Sequence, residues 1–273
     1  MTTGLAFLFA TLIGVFITPD GIVVGSDTAL SDLTGQVASD QKYCVTGPRS
    51  VATLQGAYLL QDTVTKDAIQ LYDHFRDLCS QMDRSSEPVT LRDQAEQIAN
   101  ILRDDLALFL ERLPAAEVVR TYSSNPVVAR ITVTGYGAGG PASVVVGLGI
   151  ATDRPTNRWE AQVRNLSRLT FARCGVRFQG HESVVTALGK DTDVRIPSAE
   201  RQNADVKKLS ALMRGNCSEA SIRSARSMFV QAVRLTMTLG DGFGIPKGAI
   251  SLPIDIVVIP RDGPIDVTHI DSW

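Results

Sequence analysis

Near the front of the chain stand a hydroxyl, a carboxylate, an amine and an unhindered backbone amide: Thr11, Asp27, Lys42 and Gly56. They follow one another at separations of sixteen, fifteen and fourteen residues. Together these are the parts that amide hydrolysis needs. The hydroxyl attacks, the ammonium steadies negative charge, the carboxylate holds the ammonium in place, and an N–H donates to the oxyanion. Singly, each has a plain alternative. Thr11 reads as a strand residue, Asp27 as a solvated acid near a turn, and Lys42 as a charge at a strand edge.

The elements that must position them begin with residues 11–18, which break at Pro19-Asp20-Gly21 and resume as 22–29. Both halves are rich in β-branched residues, and Asp-Gly between such runs signals a hairpin. That hairpin returns Asp27 to the side of Thr11. Residues 41–46, with Lys42, predict a third strand, and 50–56 a fourth that ends at Gly56. From 57 to about 82 the apolar spacing becomes helical, with Val64, Leu71, Phe75 and Leu78 on one stripe. Thr90 predicts the N-cap of a second helix to about residue 113. Strands are predicted at 127–134, 142–148 and around 170–175, and helices at 180–189, 199–214 and 218–239, the last capped by Ser218. Residues 254–259 and 265–269 form a closing hairpin about Arg261-Asp262-Gly263. Segregated runs of strands and helices argue for an α+β protein of antiparallel sheets with helices outside. No linker rich in Pro, Gly or Ser divides residues 11–273, which predicts one domain.

The stretch from Thr11 to Gly56 resembles the front of a proteasome β-type subunit, an N-terminal-nucleophile (Ntn) hydrolase, as a divergent bacterial-type member. That family begins its mature chain with threonine and carries an aspartate, a lysine and a glycine at nearly these separations. The lysine comes one residue early here, which a shortened turn near Thr34-Gly35 would absorb. The resemblance implies a four-layer αββα sandwich of two antiparallel sheets flanked by helices. It also implies a threonine peptidase or amide hydrolase built on Thr11, Asp27, Lys42 and Gly56, with homo-oligomers and a peptide or other amide as substrate. A free α-amine on Thr11 would serve as the base, so no histidine is required.

The resemblance departs in three places. Ten residues precede Thr11, and Ala10 stands where family precursors usually carry glycine. The late serine-and-glycine support is replaced by residues 248–255, in which Ser251 is the nearest substitute. The serine-flanked glycines of the family are absent around Gly180, where Gln179 and His181 stand without assigned roles. Inactive subunits are common in that family, so the alternative is a catalytically silent subunit with a structural or assembly role. A relative that hydrolyses non-peptide amides is a further option. Leu54, two residues before Gly56, hints at an apolar pocket.

Composition narrows the rest. The chain has 273 residues, 44% hydrophobic and 21% charged, with a net charge of −2, which gives no reason to expect nucleic acid or an anionic membrane as partner. Three scattered histidines show no metal-ligand spacing, so neither a metal nor a cofactor is expected. Four cysteines are read as buried thiols, with one bridge possible if the chain is exported. Residues 1–10 are apolar but short for a membrane helix, and are read as a propeptide, the remnant of a signal, or an extra strand. Compartment is left open, with the cytoplasm slightly favoured and export possible. Residues 135–140 are glycine-rich but lead into Pro141 and a strand, which predicts a hairpin turn and not a phosphate loop.

Overall fold

The computed structural model describes residues 5–10, 12–32, 35–39, 41–62, 67–82, 90–112, 127–153, 158–170, 174–190, 193–245 and 247–272. In chain order these form β1 (Leu5–Ala10), β2 (Leu12–Thr18), β3 (Gly21–Asp27), β4 (Ala29–Asp32), β5 (Gly35–Ser39), β6 (Tyr43–Gly47), β7 (Ser50–Asp62) and β8 (Ala68–Gln70). Helices α1 (Leu71–Met82) and α2 (Leu91–Glu111) follow, then β9 (Val127–Gly137), β10 (Gly140–Asp153), β11 (Arg158–Thr170) and β12 (Gly175–Gly180). The chain continues with α3 (Ser183–Leu188), α4 (Ser198–Gln202), α5 (Ala204–Met213), α6 (Ile222–Leu239), β13 (Ile254–Pro260) and β14 (Asp266–Ile270). The fold is α+β, with two antiparallel sheets and helices. Contacts divide the chain into two compact units, one of Met1–Phe9, Tyr43–Gly137 and Ser143–Leu169, the other of Ala10–Lys42, Ala138–Ala142 and Thr170–Trp273.

The second unit carries the Asp-Gly hairpin. Thr18 pairs with Gly21 and Ile13 with Ser26, and the sheet runs β12-β2-β3-β13-β14. The turn is braced locally, because the Thr18 hydroxyl donates to the Asp20 carboxylate at 2.7 Å and accepts from the Gly21 amide at 3.2 Å. Asp20 in turn accepts from the Ile222 amide at 3.0 Å, placing a carboxylate at the positive end of α6. Helix α6 starts where Ser221 and Ser224 cap each other reciprocally. Its buried stripe includes Ala225, Met228, Phe229, Ala232 and Val233, spaced three or four apart as a helix facing a sheet requires. Phe229 fills a gap left by two glycines that face each other across β2 and β3, Gly14 and Gly25. A Cβ on Gly25 would stand 2.3 Å from its ring, and one on Gly14 2.8 Å. Burying that side chain contributes roughly 1.5–3 kcal/mol.

In the first unit the sheet runs β11-β10-β9-β7-β1, with β6 and β8 also paired to β7. Helix α2 packs on β9, and α1 packs on α2, β6 and β7. Thr90 is the N-cap of α2, its hydroxyl accepting from the Asp93 amide at 3.1 Å, and Ile98, Leu102, Leu106 and Phe109 face inward. The Tyr72 hydroxyl donates to the Leu54 carbonyl at 2.8 Å, which satisfies both polar groups inside this core. Leu54 is fully buried there.

Several expectations are corrected. The helix expected from residue 57 begins only at Leu71, because β7 runs on to Asp62 and pairs with β1 through Leu5–Asp62, Phe7–Leu60 and Phe9–Ala57. A short apolar run takes the conformation of whatever partner it meets. Gly56 is therefore not a strand end. It lies within β7 at φ +128°, where a Cβ would stand 2.3 Å from the Val128 carbonyl oxygen. Of the strand expected around 170–175, residues 171–173 lie outside the described residues, with β11 ending at Thr170 and β12 beginning at Gly175. The expected helix 199–214 is two helices, α4 and α5. Ser218 does not cap α6, since its amide bonds the Asn216 side chain at 3.0 Å and the cap falls on Ser221. The glycine-rich run 135–140, by contrast, forms the hairpin turn expected of it, at Ala138-Gly139 between β9 and β10. Finally, the cysteines are not free thiols. Cys44–Cys79 and Cys174–Cys217 are disulfides with Cα separations of 5.9 and 5.8 Å, one in each unit.

Candidate functional site

Asp27 ends β3 and Leu12 begins β2, so the hairpin register sets them side by side at one end of the sheet. The Leu12 amide donates to Asp27 Oδ1 at 2.8 Å. Lys42 reaches the same oxygen at 3.1 Å and donates to the Ala29 carbonyl at 2.5 Å. Both charged side chains are fully buried. An ion pair taken wholly out of water is tolerated only with good geometry and further hydrogen bonds, and the Leu12 amide and Ala29 carbonyl supply them. The result is an ammonium held in a dry place and a backbone amide aimed by a carboxylate, directly after position 11.

Of the four expected site residues the structure therefore brings two together, Asp27 and Lys42. Thr11 lies outside the described residues, as does Thr34 of the turn expected to absorb one residue. Gly56 belongs to the other unit, inside β7. Its glycine is demanded locally by the close approach of the β9 backbone. Ser251 donates to the carbonyl of its neighbour Leu252 at 3.1 Å.

One residue here had been given no role. Strand β12 lies along β2 with Gln179 opposite Ile13 and Gly180 opposite Leu12, so His181 is the next residue beyond the pair that faces Leu12. Burial is the main effect that pushes its imidazole below the ordinary value of 6.5. Asp27 raises it and Lys42 lowers it. His181 thus feels both charges of the buried pair. The only trace in the sequence was its neighbour Gly180, which adopts φ +94° to end the strand. No metal cluster occurs among the described residues, and no helix among them is long and apolar enough to cross a membrane.

No family model and no curated protein matches the chain. Solved structures do. A helical assembly of the Anbu complex from Pseudomonas aeruginosa superposes with a TM-score of 0.54 at 13% identity, over 96% of this chain and 87% of that chain. Anbu (ancestral beta-subunit) from Yersinia bercovieri gives a TM-score of 0.50 at 10% identity, over 96% of this chain and 88% of that one. At such identity the likeness is one of fold. It corrects the resemblance drawn from residues 11–56. The similar structures are Anbu complexes, proteasome-like by name, and not proteasome β-type Ntn hydrolases, and no family model or curated protein supports that membership.

Proposed function

We propose that the chain is a proteasome-related subunit of the ancestral-beta-subunit kind, whose role is to assemble with copies of itself. In the form whose chain runs through Ala10 into Thr11, it is catalytically silent. The observation that carries this reading is β1. Residues Leu5–Phe9 are paired along β7, so the segment before Thr11 is a strand of a sheet. While the link from Ala10 to Thr11 is intact, the nitrogen of Thr11 is an amide and cannot accept a proton. The helical assembly of the Pseudomonas aeruginosa Anbu complex, which shares the fold, supports the oligomeric part. The two disulfides favour an oxidising compartment. Light scattering on the purified protein tests it, with a mass of several chains expected at micromolar concentration.

A second reading is favoured by the buried Asp27–Lys42 pair, which costs desolvation and yet sits directly beside position 11. If the chain is cut before Thr11, the freed amine becomes a base for its own hydroxyl, Lys42 favours the neutral amine, and Asp27 holds Lys42. The substrate would be a peptide or other amide. Neither metal nor cofactor is needed. An electrophile that caps N-terminal threonines decides between the readings. The silent subunit predicts no labelling, whereas labelling abolished by Thr11→Ala would establish the hydrolase.

A further inference from the structure

The second unit holds a cavity of about 450 Å³ whose walls come from the end of β12, from α3 and from the loop after α6. His181, the residue after the Gly180 that faces Leu12, lines it. Its volume lies within the range of small-molecule sites.

The walls carry a particular set of groups. Ser183, Thr186 and Lys190 recur at helical spacing, since Lys190 continues the turn of α3 by donating its amide to the Ala187 carbonyl at 3.1 Å. Opposite them Arg195 lies flat on Phe243, 3.9 Å from the ring centroid. Asp193 grips it with two bonds of 3.0 and 2.7 Å. Arg201 ties down this rim through the carbonyls of Lys190 and Asp193, at 3.2 and 2.6 Å. The Arg195 guanidinium holds the Asp193 carboxyl down at about 2, so the two cancel each other's charge. Among the described residues the Lys190 ammonium has no carboxylate partner, and the Ser183 and Thr186 side chains have no hydrogen-bond partner. Among the described residues the cavity therefore offers the Lys190 ammonium, two hydroxyls and an aromatic wall. Glu182 at the rim opposes a dianion, so the complement is a single negative charge on a small, partly apolar body.

We propose that this cavity binds the carboxylate of a short peptide, with Lys190 as the charge partner, Ser183 and Thr186 as donors, and Phe243 against the adjoining side chain. The carboxylate comes from a chain end or from an acidic side chain. The proposal goes beyond the assembly reading and needs no catalysis, so it stands or falls separately from it.

The test is a titration of the full-length protein with three acetylated tripeptides, read at the His181 ring signal by NMR and assigned with His181→Gln. One peptide has a free C-terminus, one is amidated and neutral, and one is amidated with a central glutamate. A free-end or glutamate peptide that shifts the His181 signal saturably, with the neutral peptide at least tenfold weaker, is the expected result. Whichever carboxylate binds names the source. Lys190→Met is expected to weaken binding about tenfold, and Lys190→Glu more. The residue is exposed, so neither change threatens folding. Equal binding of the neutral peptide, no shift with any peptide, or an unchanged titration in Lys190→Met would overturn the proposal. Oligomer mass, measured on the same samples, reports on the assembly reading alone.

Discussion

Lys42 is a fully buried cation in the second unit. Its ammonium is out of water, and Asp27 and the Ala29 carbonyl replace that water. Lys42→Met removes one partner and leaves a buried carboxylate with its charge uncompensated, a change that costs about 3–5 kcal/mol in comparable sites. Chemical denaturation is expected to show a loss of that size. Adding Asp27→Leu is expected to restore a large part of it, because a double apolar replacement removes both desolvation costs. A Lys42→Met effect under 1 kcal/mol would mean the pair is not as dry as it looks. The place of Asp27 was legible in the sequence, since the Asp-Gly turn fixes the register and brings it to the start of the first strand, whereas no local signal set Lys42 against it. That of His181 was not legible either, because it depends on β12 lying along β2, a pairing of residues far apart in the chain with no local signal.

Elements declare themselves when their own turns and caps specify them. The 12–27 hairpin, α2 behind Thr90 and the closing pair β13–β14 were all legible from local chemistry. The second half of β7 was not, since its pairing with β1 and β8 makes it a strand, and a run of apolar residues serves either period. Nor were the disulfides, whose partners lie 35 and 43 residues apart. The dependence of helix on sheet is sharpest at α6. Gly14 and Gly25 leave a slot for Phe229, which is fully buried and meets Phe16 edge-on at 6.4 Å. Gly25→Ala drives a methyl into the ring at 2.3 Å, and overpacking of this kind costs typically 1–3 kcal/mol. A thermal scan is expected to show the loss, and Phe229→Leu in the same chain is expected to recover part of it. No change in stability would show that α6 can lift from the sheet without cost.

At the scale of the whole molecule, pH acts on stability through two histidines of opposite sense. Protonated His269 donates from Nδ1 to the Asp255 carboxylate at 2.5 Å and pairs with Asp271 at 3.1 Å. The hydrogen bond to Asp255 is the main reason its folded value stands above 6.5. The stability it contributes is fully present below 6.5 and is lost as pH rises through the raised value. His181 is lowered by burial, so its contribution is present above 6.5 and is lost as pH falls toward the lowered value. His269→Gln is therefore expected to flatten the alkaline side of the stability profile and leave the acid side alone. Denaturation midpoints measured across pH check this, and an unchanged alkaline slope would speak against it.

The larger question is what the folded chain is for. The fold shared with Anbu complexes was only partly legible. The α+β class came from the order of strands and helices, whereas the kinship suggested by four spaced residues had to be corrected once the whole backbone could be compared. The most direct test is the solution mass of the purified protein by multi-angle light scattering, repeated over a range of concentrations. A discrete mass of several chains, with β1 still attached in the intact-mass spectrum, is the expected result. A single-chain mass at every concentration would contradict it.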